Sequence, residues 1–364
     1  MIGQTQSQAK SSMVKIRVLL ADDSSLARDM LRSLLEYDGG IEVVGEAKNG
    51  REAVRLAVEL KPDLVTMDME MPVMSGMDAI AEIMATRAVP ILVVSSTADA
   101  GQACAAVAHG ALDAVSKPTL DPATGAAFVA KVKMLAKIRV ITHIRSRFSE
   151  KPAVPITPCP QPPISTLTPR PGDDDSSRVF AIVSSTGGPQ ALAAILGQLP
   201  QDFSCPLLIS QHIADGFAPG LAEWLAVICK LPVRLAREGD PLAPGTVYVS
   251  PSETNLAVTR SRRIALVPRL SGEIYHPTCD VLLASVAAVY GRQGVGIILT
   301  GMGSDGAAGI AKIHNAGGTT LAQDEASSVI FGMNKIAIER GAVQQVLPAD
   351  EIPGAMCRLA GLVV

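Results

Sequence analysis

No stretch of this 364-residue chain is apolar for long enough to cross a bilayer: runs such as "VGIILTG" and "PILVVSS" stop well short of the roughly 18 residues that a membrane helix needs. Nor is there a bias of charge. Against 32 lysines and arginines stand 35 aspartates and glutamates, a net of -3, which leaves no basic footprint for a nucleic acid. The N-terminal "MIGQTQSQAKSSMVKIRVLL" lacks the basic start, apolar centre and small-residue cleavage site of a secretion signal, so residues 1–13 read as a flexible tail with Met13 an alternative start. The six cysteines (Cys104, Cys159, Cys205, Cys229, Cys279, Cys357) contain no CxxC pair. Such scatter suits reduced thiols in a cytoplasmic protein and gives neither a disulfide framework nor a zinc motif.

What is present is an alanine- and valine-rich composition, 48% hydrophobic and 18% charged, typical of a well-packed α/β protein. The length is natural for two domains. Residues 14–138 alternate strand-like and helix-like segments, from "KIRVLLADD" and "SLARDMLRSLLEY" to "ALDAVSKP" and "GAAFVAKVKMLAKIRV", about five βα units around a parallel sheet. Residues 139–177 then fall into "SEKPAVPITPCPQPPISTLTPRPGDDDSS", where frequent proline removes backbone donors and favours an extended linker. From 178 to 364 the alternation resumes. "VFAIVSS", "CPLLISQH", "VRLA", "GTVYVSP", "RIALVP" and "VGIILTG" read as strands, and "PQALAAILGQL", "GLAEWLAVICK", "DVLLASVAAVY" and "DGAAGIAKIHNAG" as helices. A second doubly wound domain is expected, with a few antiparallel additions around 246–268.

In the first domain Asp22 and Asp23 end the first strand, Asp68 the third, Ser95 and Ser96 the fourth and Lys117 the fifth. Parallel strands present their carboxyl ends at one edge, where ligands bind. Three carboxylates there would repel and raise one another's pKa; a hard divalent cation such as Mg²⁺, which takes carboxylates, waters and a phosphoryl oxygen, relieves that. Helix capping alone does not account for the lysine. The motifs "LLADDS", "MDMEMPVMSG", "VVSS" and "SKP" resemble the signature of two-component receiver domains, with the flavodoxin-like (βα)5 fold. The resemblance implies Asp68 as phosphoacceptor, Mg²⁺ held by Asp22, Asp23, Asp68 and the backbone carbonyl of Glu70, and Ser95 and Lys117 contacting the phosphoryl group. Ala114 stands where many receivers carry an aromatic residue, which puts the usual route of signal transmission in question.

In the second domain "VFAIVSSTGGPQALAAILGQL" ends a strand in two serines and opens a helix with two glycines. A phosphate loop is one reading, but "SSTGGPQ" has neither a P-loop ending nor the G-x-G-x-x-G spacing. A nucleophile is the other. His212 follows "CPLLISQ" and Asp305 follows "GVGIIL", so serine, histidine and aspartate would meet at one sheet edge. Backbone donors for an oxyanion would come from the turn at Thr186 to Gly188 and from around Met302. Ser185, in the turn, is favoured over Ser184, still in the strand; His276 is the one rival to His212.

Here "SSTGGPQAL", "SQHIADGF", "PGTVYVSP", "ILTGMGSDGAAG" and "AQDEASSVIFGMNKIAI" closely resemble the chemotaxis protein-glutamate methylesterase (CheB) family, whose catalytic domain is Rossmann-like α/β. The resemblance implies Ser185 as nucleophile, His212 as base, Asp305 as its orienting carboxylate, and Thr186, Gly187 and Met302 at the oxyanion turn, with no cofactor in this domain. "VSSTGG" replaces the usual G-A-S-T-G-G, and His276 stands where an arginine is common. The family's activity would be hydrolysis of γ-glutamyl methyl esters on methyl-accepting chemoreceptors with release of methanol, together with deamidation of receptor glutamines. The receiver would restrain it until a chemotaxis histidine kinase phosphorylates Asp68. A cytoplasmic monomer that neither enters the membrane nor binds nucleic acid is the expectation. A response regulator with a non-catalytic binding output is the alternative; a DNA-binding output would need a basic helix-turn-helix, which is not seen.

Overall fold

The computed structural model describes residues 15–37, 39–96, 100–119, 122–138, 140, 178–270 and 275–362. The expected tail and, apart from Val140, the expected linker lie outside them. Two compact units make up the chain.

The first sheet has five parallel strands, β1 (Ile16–Ala21), β2 (Ile41–Ala47), β3 (Leu64–Met67), β4 (Ile91–Ser95) and β5 (Asp113–Ser116), in the order β2-β1-β3-β4-β5. The connecting helices are α1 (Ser25–Tyr37), α2 (Gly50–Leu60), α3 (Gly76–Thr86), α4 (Ala100–Ala108) and α5 (Pro122–Leu135). β3 and β4 are buried along their whole length, as strands covered on both faces must be. Helix starts follow local chemistry: Asn49 caps α2 by accepting from Glu52 N, and Ser75 caps α3 by accepting from Asp78 N, each satisfying an N–H with no partner inside the helix.

The second sheet has seven parallel strands. These are β6 (Val179–Ser184), β7 (Leu207–Gln211), β8 (Val233–Leu235), β9 (Val247–Val249), β12 (Gly294–Ile298), β13 (Thr319–Gln323) and β14 (Gln345–Leu347), while β10 (Thr254–Val258) and β11 (Ile264–Pro268) form a separate antiparallel pair. The order is β14-β13-β12-β6-β7-β9-β8. The helices are α6 (Gly188–Leu196), α7 (Ala218–Ile228), α8 (Cys279–Tyr290), α9 (Ala307–Asn315), α10 (Met333–Glu339) and α11 (Ile352–Leu359). The antiparallel addition is therefore one hairpin over 254–268, and "GTVYVSP" does not belong to it: Val247–Val249 pairs in parallel with β7 and β8. Among the described residues, no helix is long and apolar enough to cross a membrane.

Behind β6 and β12 the buried faces of α8 and α9 close the core with Leu282, Leu283, Val286, Ile310 and Ile313. The helices can approach because Gly309 has no side chain; a Cβ there would sit 2.5 Å from Leu283 Cβ. Leu283→Ala is expected to cost about 2–5 kcal/mol, the transfer of the lost side chain plus the cavity left in a site that cannot collapse. Urea unfolding followed by the fluorescence of Trp224, the sole tryptophan, measures it in this unit alone. A loss below about 1 kcal/mol would show that the helices close over the gap.

Candidate active sites

β6 lies between two parallel neighbours, and register brings the candidate residues together. Ser184 pairs with Gln211 on β7, and Val183 with Ile298 on β12. Just beyond those pairs, Ser185 N donates to Thr300 O at 3.0 Å and His212 N to Ser184 O at 3.0 Å. The serine thus emerges between the strand that delivers the histidine and the strand that leads to the aspartate.

The two serines have different fates. Ser184 is fully buried and its hydroxyl donates to Gln211 Oε1 at 2.5 Å. Gln211 in turn donates from Nε2 to the carbonyls of Ser185 and His212, both at 2.8 Å. One buried amide therefore commits both of its N–H groups and one lone pair of its oxygen to holding the two turns in place. Ser185 begins the turn at the edge of burial, and among the described residues no hydrogen bond occupies its hydroxyl. Gly187 follows with φ +78°, a left-handed conformation that suits glycine, and a Cβ at Gly188 would strike Ser184 Cβ at 2.7 Å. Opposite, a Cβ at Gly301 would lie 2.6 Å from Ser185 Cβ. Thr186 is buried, and its carbonyl accepts from Thr300 Oγ1 at 3.0 Å; Met302 is half exposed in the facing turn.

His212 Nε2 and Asp305 Oδ2 are 2.7 Å apart. Asp305 also accepts from the backbone N–H groups of Cys279 at 2.7 Å, Asp280 at 3.0 Å and Gly306 at 2.9 Å. Burial pushes its carboxyl up, but the His212 hydrogen bond and these donors outweigh burial and hold it below the usual carboxylate range, so it stays ionised. Because Nε2 faces the carboxylate, Nδ1 is the ring nitrogen left to take a proton; it is buried and, among the described residues, makes no hydrogen bond. Tyr275 stacks on the imidazole, ring centres 4.9 Å apart and planes 14° from parallel. His276 lies instead 3.8 Å from Asp215. Burial and the Arg269 charge lower its pKa. Gln211, Tyr275 and Cys279 went unread in the sequence: only the neighbouring "QH" marks the first, and nothing local marks the other two.

In the first unit Asp22, Asp23 and Asp68 place one carboxylate oxygen each within 4.8 Å of one another. Lys117 Nζ lies 2.8 Å from Asp22 Oδ2 and 3.3 Å from Asp68 Oδ2. Burial first, then the charge of Asp22, push Asp68 up to about 6 against the pull of Lys117. Among the described residues the buried Ser95 hydroxyl finds no partner, while Asp23 and Glu70 are exposed. An acidic group raised by burial and by its neighbour, beside an unsatisfied hydroxyl, fits a hard cation and an incoming phosphoryl oxygen.

Two predictions follow from these geometries. Gln211→Met leaves the Ser184 hydroxyl buried and unpaired and is expected to cost about 1–3 kcal/mol; the Ser184→Ala, Gln211→Met double variant should cost less than the sum of the singles, and additivity in Trp224-detected unfolding would dismiss the clamp. For Asp68 the folded pKa lies above its ordinary 3.8, so the folded state binds more protons between about 4 and 6 and stability falls as pH rises through that window. Asp68→Asn should therefore raise the thermal midpoint at pH 7 in EDTA, by roughly 3–6 °C for each kcal/mol recovered. That advantage should shrink toward pH 4 and on adding Mg²⁺; calorimetry showing an advantage independent of pH would refute a burial-raised Asp68.

Both parts of the chain match known families. Residues 18–127 match the response regulator receiver domain family and residues 180–356 the CheB methylesterase family. The protein-glutamate methylesterase/protein-glutamine glutaminase 3 of Paramagnetospirillum magneticum is 54% identical over 348 residues, 95% of this chain and 97% of that protein. Protein 2 of the same name from Anaeromyxobacter dehalogenans is 41% identical over 94% of this chain and 97% of its own length. Among solved structures, the catalytic domain of Thermotoga maritima CheB methylesterase is 36% identical over 50% of this chain and 98% of that chain, with a TM-score of 0.48. The chain belongs to the protein-glutamate methylesterase/protein-glutamine glutaminase family, a receiver domain followed by a CheB methylesterase domain.

Proposed function

We propose that this protein is a phosphorylation-activated protein-glutamate methylesterase acting on methyl-accepting chemoreceptors. The observation that carries the reading is the His212–Asp305 pair beside an uncommitted Ser185, in a chain whose relatives carry that activity in their names. Ser185 Oγ attacks the γ-glutamyl ester carbonyl while His212 Nδ1 takes its proton. Backbone N–H groups of the Thr186–Gly187 turn and of Met302 receive the oxyanion. The proton passes to methoxide, methanol leaves, and a water activated by the same nitrogen releases the free glutamate from the acyl-enzyme. Asp305 keeps the ring in the Nε2–H tautomer. An amide of glutamine meets the same groups, so receptor glutamine deamidation is proposed as well.

The first domain, spanning residues 14–138, is the proposed control element, and the second, 178–364, the catalytic one, with 139–177 as linker. Asp68 is the phosphoacceptor and Ser95 and Lys117 contact the phosphoryl group. Asp22, Asp23, Asp68 and the Glu70 carbonyl would hold Mg²⁺, which supplies charge neutralisation at the acceptor. A phosphoryl group brings nearly two negative charges to this edge, enough to bias a two-state element. The phosphodonor is a chemotaxis histidine kinase. The protein is taken to work in the cytoplasm as a monomer, without nucleic acid.

Methanol release from methyl-labelled chemoreceptor membranes, with and without Mg²⁺ and a small phosphodonor, tests this. Ser185→Ala should lower release by about 10³-fold or more, while Ser184→Ala should stay within about tenfold of the wild type. Asp68→Ala should lose the stimulation and keep the basal rate. Equal losses at both serines would remove the assignment of the nucleophile; no release by phosphorylated, folded protein would leave the second domain as a binding output.

A further inference from the structure

Cys279 opens α8 and is fully buried, yet its sulfur is not inert packing. Sγ lies 3.3 Å from His212 Nε2, and its own backbone N–H donates to Asp305. One ligand atom from each of His212, Cys279 and Asp305 falls within 4.8 Å of the others. Imidazole, thiolate and carboxylate together are a donor set for Zn²⁺, whereas Mg²⁺ and Ca²⁺ want oxygen alone. No zinc spacing shows in the sequence because His212 is 67 residues from Cys279 and 93 from Asp305; the sheet edge brings them together.

We propose that His212 Nε2, Cys279 Sγ and Asp305 Oδ2 form a three-ligand zinc site with an open fourth position. Thiolate and carboxylate cancel the charge of the cation, so the filled site is neutral, which limits the cost of burying it. Donors around tetrahedral zinc stand roughly 3.3–3.8 Å apart; the His212–Asp305 contact of 2.7 Å must open by about 1 Å or less. The carboxylate is already oriented, since Asp305 Oδ1 accepts from Asp280 N and Gly306 N, the kind of outer support that fixes metal ligands. On binding, the thiol proton, which points toward Ser210 O at 3.6 Å, leaves to solvent, and the ring proton moves from Nε2 to Nδ1. One proton is released per metal ion.

That tautomer has a consequence for the reaction, and this part rests on the esterase reading above. With the metal on Nε2, Nδ1 carries a hydrogen and has no lone pair for the Ser185 proton. Zinc therefore disables the base without touching the serine.

Cobalt(II) serves as the probe, titrated into the full chain with Mg²⁺ saturating. A thiolate-to-cobalt absorption band of one-to-one stoichiometry, displaced by Zn²⁺, is expected in the wild type and in Ser185→Ala. It should be lost in both Cys279→Ala and Cys279→Val, two replacements of different size so that at least one folds, as judged by Trp224 fluorescence. Zinc at the concentration that clears the band should slow wild-type ester hydrolysis at least tenfold, reversibly with EDTA. The Cys279 variants, each referred to its own metal-free rate, should need at least tenfold more. A band that survives loss of Cys279, no band in wild type, or equal zinc sensitivity would overturn the site. A Cys279-dependent band in a protein that hydrolyses no ester would keep the site and remove the esterase reading instead.

Discussion

The parallel pairing of Val179–Ser184 with a strand on either side is the constraint on which the candidate catalytic edge depends. Neighbouring strands lie about 4.8 Å apart, so whatever follows three register-matched strand ends must meet. Ser184 opposite Gln211 and Val183 opposite Ile298 set that match. Buried apolar side chains on both faces of the sheet hold it, since a slip of one residue would turn every core side chain to the wrong face. The Gln211 amide then converts register into fixed turns.

Burial works against charge at both edges and is answered differently. Asp305 receives three backbone N–H groups and an imidazole and stays ionised below the usual carboxylate range. Asp68 has a second carboxylate beside it and only one lysine shared between the two, so it rises to about 6. A satisfied carboxylate orients a partner; a frustrated one is left short of positive charge. The same chain thus holds one buried carboxylate answered by its own donors and one that is not.

Much of this was legible in the sequence because strand-end residues announce themselves. Asp22, Asp68, Lys117, Ser185 and His212 each follow an apolar run, and a parallel sheet collects such positions at one edge. Ser185 is favoured over Ser184 in the sequence by its position in the turn; in the structure the Ser184 hydroxyl is committed to Gln211. The hairpin over 254–268 was read too widely because "TVYV" carries no mark of whether its partner runs parallel. β10, β13, β14, α10 and α11 went unread: the three strands carry Asn255, Thr319, Thr320, Gln323 and Gln345, which interrupt the apolar run that marks a buried strand, and the two helices have only seven and eight residues, too short for periodicity to declare them. Gln211, Tyr275 and Cys279 act only through contacts between distant segments, which no local pattern encodes.

The orientation of the His212 ring bears on how tightly position is controlled. Nδ1 is attached directly to Cγ, whereas Nε2 lies one atom farther round the ring. With Nε2 tied to Asp305 and one face of the ring stacked on Tyr275, the nitrogen left uncommitted among the described residues is the one nearest the backbone of the strand end. Motion of the side chain about its own torsions is therefore little amplified at that atom. Its reach is correspondingly short, so any group that meets it has to be brought there by the main chain, and the accuracy of such a meeting is inherited from the sheet and not from the side chain.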